Sequence, residues 1–286
     1  WESSSVMELT AVQISPYALE GLRAPLMGHV HSVFNTSFNV ELGDALVHVG
    51  RDADAFSCTS ITIPAGEMSL VLGGLEPGQV VTVRNGYLRL YRPSDIVSID
   101  LQGAEPVNCS VPALFDTESA RWALSWLRER RLRERSGLPS STETLRALTG
   151  LREGASSKRI ADHVHYLCGR GLGLTPSGDD ILLGYACARS AFGQATGLID
   201  LLAKESTGRT TPVSCSYLSA FSRGGVNPVY RDLLLAARDR DADAFGDAAT
   251  SIEQIGSTSG VDALLGLSIG FSYVATHAAS PVHSAA

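Results

Sequence analysis

The 286-residue chain carries 30 acidic against 23 basic residues, a formal charge of −7, with 44% hydrophobic and 19% charged residues. That balance excludes a disordered chain and removes any general electrostatic pull towards nucleic acid or anionic lipid. The length suits one large domain or two medium ones, and an anionic ligand would have to be held by local groups.

The first hundred residues read as short strands broken by turns: Met27–Phe34, Ser37–Leu42, Ala45–Val49, Ser57–Ile63, Met68–Leu72, Gln79–Arg84, Tyr87–Tyr91 and Ile96–Ile99. Alternation as in Val80–Val83, and turn signals such as Asn85-Gly86, predict an antiparallel sheet or barrel. Gln102–Pro112 is a polar, proline-containing hinge. Beyond it the period changes from two to nearly four, and helices are expected over Asp116–Arg135, Ser140–Arg152, Ser157–Cys168, Ser177–Phe192, Thr211–Arg223, Pro228–Arg238, Asp241–Ile255 and Ser259–His277. Strands followed by helices define an α+β chain, with a mainly β domain over 1–105 and a mainly helical one over 106–286. The charged run Arg128–Arg135, interleaved with glutamates and backed by Trp122, Leu124, Trp126 and Leu132, is expected to be a solvated helix face.

Five widely spaced cysteines without a CxxC pair imply reduced thiols in a cytoplasmic protein, not a zinc site or a disulfide framework. No signal-peptide pattern is visible, Met7 is read as the natural start, and the most apolar segment, 261–276, is bracketed by Asp262 and His277 and too short to span a membrane.

The most informative feature is an internal echo. Thr175-Pro-Ser177-Gly178-Asp179-Asp180-Ile-Leu-Leu-Gly184 is matched, 82 residues on, by Ser257-Thr258-Ser259-Gly260-Val261-Asp262-Ala-Leu-Leu-Gly266. Each opens an apolar helix. Capping by Ser177 and Ser259, with Asp180 and Asp262 reaching back, would explain part of the pattern. It does not explain the glycines of Gly169-Arg-Gly171-Leu-Gly173, or the hydroxyls of Thr175, Ser177, Ser257, Thr258 and Ser259 crowded at positive helix ends. Unpaired amides at such ends attract phosphate or carboxylate. Ser177, Gly178, Ser259 and Gly260 are therefore expected to bind an anion, with Gly173, Thr175, Ser257 and Thr258 beside them. Arg170 could neutralise phosphate or lie on the surface. Asp179 is the first choice as acid–base residue, followed by Asp180 and Asp262. Thr211 and Ser214, in Thr210-Thr211-Pro-Val-Ser214, mark a further helix start whose bland reading is a cap.

No cofactor is expected. Asp179 and Asp180 could hold a divalent metal, without further support in the sequence. His29-Val-His31 puts two rings on one side of a strand but lacks a third ligand, and His163-Val-His165 is badly spaced for a helix. P-loop, GxSxG and HExxH patterns do not occur.

Gly169–Asp180 resembles the signature of the AllH family, and the resemblance extends to Thr211–Leu218, to Gly256–Asp262 and, early in the chain, to Ser32-Val-Phe-Asn35, spanning roughly residues 25–275. The family has proline where this chain has Leu172. The resemblance implies a subunit of oxamate carbamoyltransferase working with two partner subunits in carbamoyl transfer between carbamoyl phosphate and the amino group of oxamate. It adds Asn35 to the substrate-binding candidates. A homo-oligomer, a non-catalytic metabolite-binding or scaffold subunit, and a divergent enzyme for another amide or carbonyl substrate are the alternatives. Neither nucleic acid nor membrane is an expected partner.

Overall fold

The computed structural model describes residues 5–154 and 156–278. The chain divides into two compact units, Trp1–Ser110 with Gly224–Pro228, and Val111–Arg223 with Val229–Ala286.

The first unit is a curled mixed sheet. Its strands in chain order are β1 (Ser5–Thr10), β2 (Gln13–Ile14), β3 (Leu26–Val33), β4 (Phe38–Leu42), β5 (Ala45–Arg51), β6 (Ser60–Ile63), β7 (Val80–Arg84), β8 (Tyr87–Tyr91), β9 (Asp95–Asp100) and β10 (Glu105–Pro106). They lie in the order β1-β9-β8-β7-β3-β4-β5-β6-β2-β10. Antiparallel pairs dominate, while β1–β9, β5–β6 and β2–β10 are parallel. β1 and β2 are separated by two residues yet sit towards opposite ends of the sheet. Ala11 N–H donates to Asp100 O and Val12 N–H to Thr62 O, both at 2.8 Å, so the sheet curls until its ends share one segment of chain. Inward Val81, Val83, Leu88 and Leu90 are buried, in step with the period-two pattern. Asn85 and Gly86 both take positive φ, as the turn signal required.

One expectation fails in this unit. Residues Met68–Leu72 are the end of a helix, α2 (Ala65–Leu72), because Met68 and Val71 are buried at a helical spacing while Leu70 is 62% exposed. The segment 102–112, within which the division between the units falls, also carries β10, whose Glu105 and Pro106 pair with Gln13 and Ile14. The short strands β1 and β2 and the helix α1 (Pro16–Gly21) left no clear pattern in the sequence.

The second unit is helical: α3 (Glu118–Leu127), α4 (Leu132–Arg135), α5 (Thr142–Glu153), α6 (Ser157–Leu167), α7 (Ser177–Ala191), α8 (Leu198–Ser206), α9 (Pro212–Ser222), α10 (Pro228–Asp239), α11 (Ala242–Glu253) and α12 (Ser259–Thr276). The expected helix Asp116–Arg135 is broken. A short 3-10 turn follows α3, and Arg131 adopts the left-handed region at φ 50°, which costs about 1–2 kcal/mol for a residue with a Cβ. The unanticipated α8 fills the gap after α7.

The core is the α7–α12 pair. Both helices are apolar around nearly their whole circumference, and both are sheathed by others. α12 is long and apolar enough to cross a membrane by composition, but 67% of it is buried inside this unit, as suits a core helix. The pair runs parallel and packs closely. A Cβ on Gly184 would lie 2.1 Å from Ala263 O, and one on Gly266 would lie 2.0 Å from Ile181 O. Only glycine permits that approach.

Candidate functional site

Because α7 and α12 are parallel, their starts lie at the same end, and the two halves of the echo meet. The hydroxyls of Thr175 and Ser259 are 2.8 Å apart. Ser177, only 3% exposed, lies beneath them, with Thr258 alongside. The serines are not caps. The N-cap positions fall on Pro176 and Thr258, and neither makes a side-chain capping bond, so Asp180 and Asp262 do not complete capping boxes either.

Each aspartate has a different task. Asp179 accepts from Gly169 N–H at 2.7 Å and from the Thr210 hydroxyl, tying the start of α7 to the glycine loop and to the chain ahead of α9. Asp262, fully buried, accepts from the Ser136 hydroxyl at 2.6 Å and from Gly137 N–H at 3.1 Å. Asp180 is half-buried, and its Oδ2 is sealed from solvent with no hydrogen-bond partner among the described residues. Burial raises its carboxyl well above the usual range. The Ser259 and Thr175 hydroxyls act against that rise, while the nearby Asp262 and Asp179 carboxylates reinforce it.

The loops are shaped by close packing. Gly169, Gly171 and Gly173 all take positive φ, letting the chain double back over Ser177. The Gly178 N–H donates to Arg170 O at 2.8 Å and the Gly260 N–H to Ile255 O at 3.0 Å. Those two amides, expected as anion donors, are therefore engaged within the protein. Their α-carbons instead permit contact: a Cβ would lie 1.9 Å from Leu167 O at Gly178 and 1.7 Å from Ile252 O at Gly260. The hydroxyl-bearing Thr175, Thr258 and Ser259 stay half-buried there.

Thr211 caps α9 by accepting from Ser214 N–H at 3.1 Å, and its own hydroxyl donates to Leu174 O. This third helix start is thus joined to the glycine loop. Ser214 Oγ is buried without a hydrogen-bond partner among the described residues. Ser257 and Gly173 are exposed beside the cluster, and Arg170 stacks on Tyr166 at 3.9 Å. Asn35 lies exposed in the β3–β4 turn of the first unit.

Ser136 and Gly137 were missed in the sequence. A Cβ on Gly137 would lie 2.2 Å from Ser177 Oγ and 2.6 Å from Thr258 Oγ1, so this loop lies directly over both helix starts. A lone Ser-Gly after a charged run carries no signal of such a contact. Elsewhere, His29 pairs with Glu41 at 3.2 Å, and among the described residues no group of three or more His, Cys, Asp or Glu is placed to hold a metal ion. Burial pushes the thiols up, Cys109 to about 11 and both Cys168 and Cys187 to about 12, so none of these three is a thiolate near neutral pH.

These features define an α+β protein with a curled mixed sheet and a helical unit centred on two parallel Ser-Gly helix starts. The chain belongs to the AllH family: residues 167–271 match the family described as oxamate carbamoyltransferase subunit AllH, and residues 10–106 match the AllH family N-terminal domain. The first match spans the glycine loop and the second helix start. No curated protein and no solved structure matches the chain.

Proposed function

We propose that this chain is a carbamoyltransferase subunit whose paired helix starts hold a small anionic substrate of the carbamoyl phosphate type. The observation that carries this reading is the contact between the Thr175 and Ser259 hydroxyls beside Asp180, a carboxyl with a buried, unpartnered oxygen. A neutral carboxyl can donate a hydrogen bond without repelling an anion, and two helix N-termini favour negative charge nearby. Asp179 and Asp262 have their oxygens engaged by the protein, which suits positioning. That shifts the expected acid–base role from Asp179 to Asp180.

In the reaction, an amine nitrogen attacks the carbamoyl carbon, the carbon–oxygen bond to phosphate breaks, and the phosphate leaves with the electron pair and takes up the proton that the amine loses. Asp180 and the two hydroxyls would stabilise the charge that develops on oxygen. A scaffold role has its own support. Leu172, 93% exposed, and Leu174, 41% exposed, stand on the glycine loop beside the cluster, where an apolar surface suits cover by another subunit.

The test is phosphate release and carbamoyl transfer to oxamate by the purified chain, alone and with its partner subunits, for the natural sequence and Asp180→Asn. A fall of about a hundredfold or more in the variant, with folding retained, supports the catalytic reading. Undiminished turnover by the variant complex removes the cluster from the chemistry and leaves the scaffold.

A further inference from the structure

We propose that a second anion site lies in the helical unit, in the cavity where the chain breaks between α3 and α4, and that it takes a small phosphate-class oxyanion. The cavity is a hollow of about 390 Å³, walled by Arg128, Arg131, Arg133 and Arg152 together with leucines of α3, α4 and α12. One carboxylate, Glu134, shares that wall. On the remaining side α12 contributes Ser268 and Ser272.

Three observations point to a ligand. First, the arginines near the break divide into two groups. Arg130 and Arg135 of the charged run share Glu253 at 3.1 and 3.2 Å, whereas Arg128 of the run and Arg152 of α5 have no ion-pair or hydrogen-bond partner among the described residues. Arg131 reaches Glu134 only at 3.7 Å, with both side chains mostly exposed. Second, Arg133 spends its two Nη groups on Leu138 O and Pro139 O at 3.1 Å, which leaves its Nε buried without an acceptor. Third, the left-handed turn at Arg131 interrupts what the sequence pattern would make one continuous helix, and it places arginines on both sides of the break around the hollow.

Four guanidinium groups repel one another when gathered on one wall, and an anion removes that repulsion. Guanidinium donors match the oxygens of phosphate in fork geometry, and an acidic protein must concentrate its cations to bind such a ligand. The volume admits a phosphate ester or a pyrophosphate-sized group.

The experiment is calorimetric titration of the full chain with inorganic phosphate and with pyrophosphate, at constant ionic strength, with chloride and sulfate as controls. Saturable pyrophosphate binding is expected, weakened at least about tenfold in Arg128→Ala/Arg152→Ala and less in Arg128→Lys/Arg152→Lys, which keeps charge but loses the fork. The lysine pair also serves if the alanine pair fails to fold. Ser259→Ala, which alters the helix-start cluster, is expected to leave this affinity unchanged, so the two sites fail independently. Binding that is equal in all arginine variants, or matched by chloride, overturns the proposal. Capture of an acidic peptide with no response to pyrophosphate also overturns it and assigns the hollow to a protein partner.

Discussion

Gly184 of α7 and Gly266 of α12 make the same contact in opposite directions. Each glycine rests on the carbonyl of the residue three positions before the other, Ala263 for Gly184 and Ile181 for Gly266. The 82-residue echo is thus a reciprocal, two-fold-like packing of two copies, and its parallel sense is what brings both helix starts together. A methyl group at either glycine meets backbone, which cannot swing aside. Gly184→Ala or Gly266→Ala should cost about 1–3 kcal/mol in a denaturant titration. Gly246, inside α11 with open space around its α-carbon, provides the contrast: Gly246→Ala should gain about 0.5–1 kcal/mol.

The Thr210 hydroxyl is one of two donors that satisfy the buried Asp179. Thr210→Val keeps the shape and removes the donor. A loss of about 1–3 kcal/mol is expected, with faster proteolysis in the glycine loop that Asp179 anchors. Unchanged stability and cleavage would show that Asp179 needs only one donor.

Asp180 has a testable sign. Its folded-state carboxyl titrates well above the unfolded value of 3.8, because burial disfavours the charged form. The folded chain therefore holds a proton that the unfolded chain has released, and stability declines as pH rises from 3.8 through the folded value. Asp180→Asn removes that decline and should be at least as stable as the natural chain at neutral pH, measured by thermal unfolding across pH. A variant less stable at every pH would mean that the carboxylate is ionised and bonded in the folded protein.

His48 of β5 gives the opposite window. Burial lowers it from 6.5 to about 4 despite the nearby Asp54, and its Nδ1 lies 2.8 Å from Asn39 Oδ1. The unfolded chain takes up a proton first, so stability is full above pH 6.5 and falls as pH drops towards 4, by at most about 3 kcal/mol. His48→Gln should flatten that part of the pH profile. Urea titrations at pH 7 and pH 4.5 on both proteins measure the difference.

Much of the order of elements was legible. Period-two alternation marked β7 and β8, the Asn85-Gly86 turn joined them, and apolar runs opened by Ser-Gly marked α7 and α12, because each signal is local. The Met68–Leu72 error came from a short apolar run, in which strand and helix spacing differ by too few residues to separate. The break at Arg131 was hidden for another reason: every neighbouring residue favours helix, and only tertiary contacts offset the left-handed turn.

The sequence by itself determined that two like helix starts exist, that each is crowded with hydroxyls and carboxylates, and that a β part precedes a helical one. Tertiary structure alone decided that those starts lie side by side, that Gly137 covers them, and which aspartate keeps an unpartnered oxygen. The physical reason is that composition and period act within a few residues along the chain. Burial and hydrogen-bond partners depend on segments such as 136–137 and 210–211, which reach the cluster only once the helices have packed.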